Sequence, residues 1–202
     1  MKSLFLLIVL GVFAMAIDCC AAPTEVKLAV NGKALFNVVV AADATVPEQN
    51  AAKELASYLK QVTGADFRSY TLGSEPSGTP RILVGQSDTA KKLANINWQS
   101  LKFDGIIIKF VGKDIVLAGD RPRGTVYAVY TFLEDYVGCK WWTAKASFIP
   151  KKVILTVKNT DKTHIPPFMY RETYYAPVIR KNMDFSVKLK LNGSHQPVPQ
   201  DF

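Results

Sequence analysis

The stretch from Asp120 to Trp142, DRPRGTVYAVYTFLEDYVGCKWW, constrains the fold more than any other. Val126, Val129, Tyr130, Leu133 and Val137 recur at helical spacing and form one apolar stripe, so the segment must pack on a core. Gly138 stands where a left-handed residue ends a helix. Asp120 and the Pro122-Arg123-Gly124 turn both supply start signals, and either can provide the cap. A tryptophan pair, Trp141-Trp142, follows the stop.

The rest of the chain supplies partners for that stripe. Glu25 to Val30 and Leu35 to Val40 flank Asn31-Gly32, a hairpin signal. A second helix runs from Pro47 to Gly64, with Glu48 at the positive end of its dipole and Ala52, Leu55, Leu59 and Val62 as its buried stripe. Short strands are expected at Phe67–Thr71 and Arg81–Val84, then a short helix from Ser87-Asp88 to Ala94. Asp104–Phe110 and Asp114–Ala118 form a hairpin across Val111-Gly112-Lys113, and Val153–Val157 is a β-branched strand. This order predicts an α+β fold, a mainly antiparallel sheet with two long helices packed on one face. The expected domain spans 23–160 and ends at the polar stretch Lys158 to Asp161. Beyond it, Phe168–Arg171 reads as the first strand of a new unit, and Asp184–Leu191 as strand or helix. Residues 161–202 are too few to bury a core of their own. They either wrap the first domain or open a second, and the Pro166-Pro167 pair before a fresh strand favours an opening.

Residues 1–22 read as a signal peptide: Lys2, an apolar run from Leu4 to Ala16, then small residues. Cleavage fits after Ala16 or Ala21, and the run is too short to span a bilayer. Export to the periplasm or the cell exterior is the expectation. Ile17-Asp18 before Cys19 departs from a lipobox, so no lipid anchor is expected. Late cleavage would leave Cys139 alone, as a small buried hydrophobe rather than a reactive thiol. With no CxxC or HExxH motif, and only His164 and His195, neither a metal nor a cofactor is expected. The net charge of +8 comes largely from Lys151–Phe202, where nine basic residues face four acidic ones, 9 − 4 = +5. The basic residues are scattered through apolar patterns. That favours a solvated surface over nucleic-acid binding and leaves an acidic glycan as a partner in keeping with the charge.

The runs AAKELASYLKQVTG, ILVGQS, DGIIIKFVGKDIVLAGD and RGTVYAVYTFLEDYVGCKWW together resemble the small α/β domain that precedes the catalytic barrel in β-N-acetylhexosaminidases and α-glucuronidases. The similarity is closest to a group of secreted bacterial glycoside-hydrolase-like proteins. It covers about residues 25 to 160 and continues through PPFMYRE and LNGSH into what would be the start of a (β/α)8 barrel. The resemblance implies a structural role for the domain, with the catalytic carboxylate pair lying later in the barrel. This chain would then be an incomplete member carrying no catalytic residues, with the barrel as its intramolecular partner. The alternatives are a secreted carbohydrate-binding module without hydrolytic activity and the inert product of a broken reading frame.

Four residues are candidates for sugar binding. Arg171 ends the expected barrel strand, and the hexosaminidase resemblance implies an arginine near there that holds the sugar. An interdomain ion pair is the competing role for it. Asn192 and His195, in LNGSH, can line the same pocket or cap a glycine turn. Trp142 offers an aromatic face, with burial at a domain interface as the alternative for the pair. Glu134-Asp135 point in different directions on a helix and suit a solvated face. Glu172 and Asp184 are the acids that a glycosidase pair in the tail would have to use.

Overall fold

The computed structural model describes residues 24–175 and 183–193. The expected leader and His195 lie outside them.

Six strands form the main sheet, in the order β11-β6-β7-β5-β3-β4. They are β3 (Asn37–Val40), β4 (Ser69–Thr71), β5 (Arg81–Val84), β6 (Ile106–Val111), β7 (Asp114–Gly119) and β11 (Lys162–His164). The fold is mixed α+β, yet the sheet is less antiparallel than the hairpin signals implied. β3 runs parallel to both β4 and β5, and β5 runs parallel to β7. Only β6–β7 and β11–β6 are antiparallel. The reason lies in the connections: the chain crosses over through α1 (Val46–Thr63) to begin parallel β4, a loop brings β5 in parallel beside β3, and α2 (Asp88–Ala94) leads to β6, which turns back into β7 parallel to β5. RILV and IVLA are accordingly apolar on both faces.

At Asn31-Gly32, β1 (Glu25–Val30) turns into β2 (Lys33–Ala34), a much shorter partner than expected. The chain then leaves for the main sheet as β3. β1 pairs along its length with β10 (Ile154–Lys158), so this small sheet has the order β10-β1-β2. Lys162–His164, next to the expected linker, adds an edge strand to β6. No strand forms at Phe168–Arg171, because the backbone there is held by a loop: Asn192 Oδ1 accepts from Arg171 N at 2.8 Å and Asn192 N donates to Arg171 O at 2.8 Å. Asp184–Leu191 resolves to a helix, α4 (Met183–Lys188).

Alternation along the strands creates two cores. Val38, Ile82, Val84, Ile108 and Leu117 face α1 and α3 (Gly124–Phe132). Val39, Leu83, Ile107 and Val116 face Ala90 and Ala94 of α2, with Leu101 and Trp98 beside them. Helices thus cover both faces, with the longer ones on one. α1 is fixed by a capping box, in which Thr45 and Glu48 bond reciprocally, and ends at Gly64. α3 has no side-chain cap; the Asp120 carbonyl accepts from Gly124 N at 2.6 Å instead. It continues as a single π turn, Leu133–Val137, and stops at Gly138, whose φ of 97° suits a residue without Cβ.

Three loops leave the carboxyl ends of β3, β5 and β7, and one buried carboxylate joins them. Glu48 Oε2 accepts from Thr45 N at 2.8 Å and from Arg121 Nη2 at 2.9 Å. Its Oε1 accepts from Gln86 N at 2.9 Å and Arg121 Nε at 3.2 Å. The sequence marked Glu48 only as a helix-dipole residue.

Candidate functional site

Arg171 is the centre of the best-built polar cluster in the tail. Its Nη2 lies 2.9 Å from Asp104 Oδ2, and its Nε donates to Lys190 O at 3.1 Å. Nη1 donates to Phe168 O at 2.9 Å and to Phe103 O at 3.3 Å. Asn192 completes the group, its Nδ2 donating to the same Asp104 oxygen at 2.7 Å and to Met169 O at 2.8 Å. The guanidinium thus joins three backbone segments: the turn before β6, the start of the tail and the loop after α4. Asp104 is buried and Arg171 nearly so. Asp104 was missed by sequence reasoning, although Asp-Gly directly before a strand is a turn signal that marks its position.

Two further groups frame this clamp. The Tyr127 hydroxyl donates to Leu191 O. Burial, with Asp104 nearby, pushes its pKa upward, so Tyr127 stays a donor. Burial also raises the carboxyl of Asp120, and Asp104 adds to the effect through its charge, while the Asp104 N–H donated to it at 3.3 Å works the other way. Beside the clamp is a cavity of about 260 Å³, lined by Ile106, Tyr127, Thr131, His164, Pro166 and Leu189 among others. With four guanidinium contacts and both Asn192 amide contacts directed into protein, this arrangement holds backbone together. Arg171→Ala should detach the tail locally, and amide exchange at Asn192 is expected to rise by about tenfold or more in hydrogen-exchange mass spectrometry. Unchanged exchange would show that the tail is held by something else.

The tryptophan pair divides into a half-buried and an exposed member. Trp141 packs edge-on against Tyr58 at 5.5 Å and Tyr130 at 5.3 Å. Trp142 is 65 % exposed and stacks on Phe148, with centroids 6.5 Å apart. Asp184 lines a polar cavity next to Trp141 and Lys188, whereas Glu172 accepts from the Tyr170 hydroxyl. Glu134 pairs with Lys190 at 2.9 Å in a half-buried contact, and Asp135 with Lys162 at 2.6 Å at the surface. Among the described residues no group of three His, Cys, Asp or Glu could hold a metal ion, and no helix is long and apolar enough to cross a membrane.

Cys139 is fully buried, and burial pushes its thiol up to about 11, against a small opposing effect from Lys152. The thiolate is the reactive form, so the native protein at pH 8 should leave Cys139 unlabelled by iodoacetamide while urea exposes it, as read by peptide mass mapping. The same shift makes stability fall as pH rises. Between about 9 and about 11 the unfolded chain loses this proton and the folded one keeps it, so stability present below pH 9 is lost through that window.

Residues 24–132, more than half of the 202, match the family described as Glycosyl hydrolase family 67 N-terminus. The chain belongs to that family. The match covers α1, α2, α3 and the main sheet apart from β11, and ends before the tryptophan pair and the clamp's tail residues. No curated protein matches the chain. Among solved structures it is similar to a family GH115 4-O-methyl-α-glucuronidase with specificity for decorated arabinogalactans. That likeness has 16 % identity and a TM-score of 0.54, covering 84 % of this chain and 25 % of that one. It is also similar to the GH20 β-N-acetylhexosaminidase of Streptomyces coelicolor A3(2), at 13 % identity and a TM-score of 0.52, covering 85 % and 31 %. At such identities these likenesses speak to the fold. The chain spans about a quarter to a third of the length of these structures.

Proposed function

We propose that this chain is the non-catalytic N-terminal domain of an exported carbohydrate-active enzyme, an O-glycosyl hydrolase of polysaccharide or glycoconjugate. Its role would be to seat the opening of the catalytic barrel. The observation that carries this reading is the surface of the tail. Phe168, Met169, Tyr170, Tyr174 and Tyr175 are all more than half exposed, up to 77 % for Tyr174, while the Arg171–Asp104–Asn192 clamp fixes the backbone beneath them. A run of large apolar side chains on an anchored strip is the composition of an interface rather than of a solvated loop. Family membership supports the glycosidase association, the leader-like residues 1–22 support export, and the excess of positive charge in the tail supports an acidic glycan as substrate of the parent enzyme. The test is an assay of the 202-residue chain against aryl glycosides. No turnover is expected, and turnover would overturn the non-catalytic role.

A second reading, a free-standing carbohydrate-binding module, is favoured by the exposed Trp142–Phe148 stack. It requires glycan-array binding that disappears in Trp142→Ala.

A further inference from the structure

The main sheet contains a point where the chain's path reverses. From β3 the chain passes through α1 on one face to β4 on one side. From neighbouring β5 it passes through α2 on the opposite face toward β6 and β7 on the other side. In open sheets with parallel strands, the diverging connections at such a point leave a crevice outside the carboxyl ends of the two strands, and ligands settle there. Here the crevice exists. A cavity of about 400 Å³ lies beyond Val40 and Val84, bounded by Asp43, Gln86, Asp88, Thr89, Trp98 and Arg121. It shares no lining residue with the cavity beside the tail clamp.

We propose that this crevice binds one neutral pyranose unit of a glycan. The floor is preorganised, because Glu48 holds the loops after β3, β5 and β7 in one hydrogen-bonded unit. Trp98 is half-buried: it packs against the α2-side core and leaves the rest of its indole at the cavity, a fixed aromatic surface for the apolar face of a sugar ring. The Asp43 and Asp88 carboxylates are exposed and have no hydrogen-bond or ion-pair partner among the described residues. Each can accept hydrogen bonds from neighbouring hydroxyls. Charge decides between ligand classes. The guanidinium of Arg121 is already balanced by Glu48 at 2.9 Å, so the net field in the crevice comes from the two aspartates. A phosphate or uronate would be repelled, and a neutral polyol would not.

This proposal does not depend on how the tail docks, and it has its own test. The full chain is titrated with methyl β-D-galactopyranoside, methyl β-D-xylopyranoside and sodium glucuronate, read by saturation-transfer NMR and tryptophan fluorescence. At least one neutral glycoside is expected to bind saturably with a Kd on the order of 1–10 mM, and glucuronate at least about tenfold more weakly. Trp98→Ala should weaken binding by about tenfold or more and Asp88→Asn by about threefold, with Trp142→Ala unchanged. Should Trp98→Ala lower the melting temperature, Asp88→Asn decides, since that side chain is exposed and makes no hydrogen bond or ion pair among the described residues. Absence of saturable binding by either neutral glycoside, preference for glucuronate, or loss of binding in Trp142→Ala with Trp98→Ala unaffected would each overturn the proposal. The last of these outcomes would instead support the free-standing module.

Discussion

Gly119→Ala is expected to abolish cooperative folding. Gly119 ends β7 and Gly124 begins α3, and the two backbones pass in contact. A Cβ on Gly119 would sit 2.2 Å from the Gly124 carbonyl carbon and 2.5 Å from its oxygen. No side-chain rotation relieves this, because the obstacle is backbone. To make room, α3 would have to lift from the sheet, and every residue of α3 from Gly124 to Phe132 is buried. It would also break the Asp120 N to Gly105 O bond at 2.8 Å that ties the same loop to β6. Overpacking of a rigid site ordinarily costs about 1–3 kcal/mol, and one that displaces a central helix should exceed about 4 kcal/mol, a large part of a small domain's stability. Gly112→Ala is the contrast. Nothing lies within 4 Å of a Cβ there, and the opposing factor is a φ of +59°. About 1 kcal/mol is expected for it, with the fold intact. Urea denaturation followed by circular dichroism separates the two. A Gly119→Ala protein with a wild-type midpoint would mean that β7 and α3 can separate without loss.

That close approach explains why the helix was legible in the sequence and its seat was not. Val126, Val129 and Leu133 announce a buried stripe through spacing alone, and α1 announces itself through Pro47, Glu48 and Gly64. Such signals are local, within one turn of the residues concerned. The β6–β7 hairpin is legible for the same reason, since Gly112 lies between its strands. Parallel pairing is not. β3 meets β5 and β5 meets β7 across intervals of some thirty residues or more, and no turn signal encodes that partnership. Asn31-Gly32 misled because a hairpin turn fixes its own register without fixing how far the pairing extends; here it stops after Ala34. The polar contacts follow the same rule. Arg171 stood out as a guanidinium near a tail strand, but its partner Asp104 is 67 residues earlier, and Arg81 is matched to Asp114 across 33. Sequence shows which residues carry charge, whereas the sheet order decides which charges meet.

Glu48→Ala should cost about 3 kcal/mol, near the lower end of the range for breaking a buried ion pair. The argument starts from what remains. Removing the carboxylate leaves Thr45 N, Gln86 N and the Arg121 guanidinium without their shared acceptor, and the first two sit at helix starts with no alternative partner among the described residues. An unsatisfied buried donor costs about 1–3 kcal/mol, and loss of the capping box adds about 1 kcal/mol. One effect holds the total down: Arg121 has 39 % of its side chain exposed and can turn into water once released. Glu48→Gln keeps the shape and two acceptor lone pairs but loses the charge and one acceptor oxygen, so it should fall between wild type and Glu48→Ala. Arg121→Ala leaves a fully buried carboxylate still held by Thr45 N and Gln86 N, and it should cost less than Glu48→Ala. Chemical denaturation of the three variants gives the order directly. If Arg121→Ala were the most harmful, the ion pair would dominate; if Glu48→Ala is, the carboxylate acts chiefly as the acceptor that joins three loops. The second outcome is expected, because Glu48 accepts from all three loops, whereas Arg121 hydrogen-bonds Glu48 alone among the described residues.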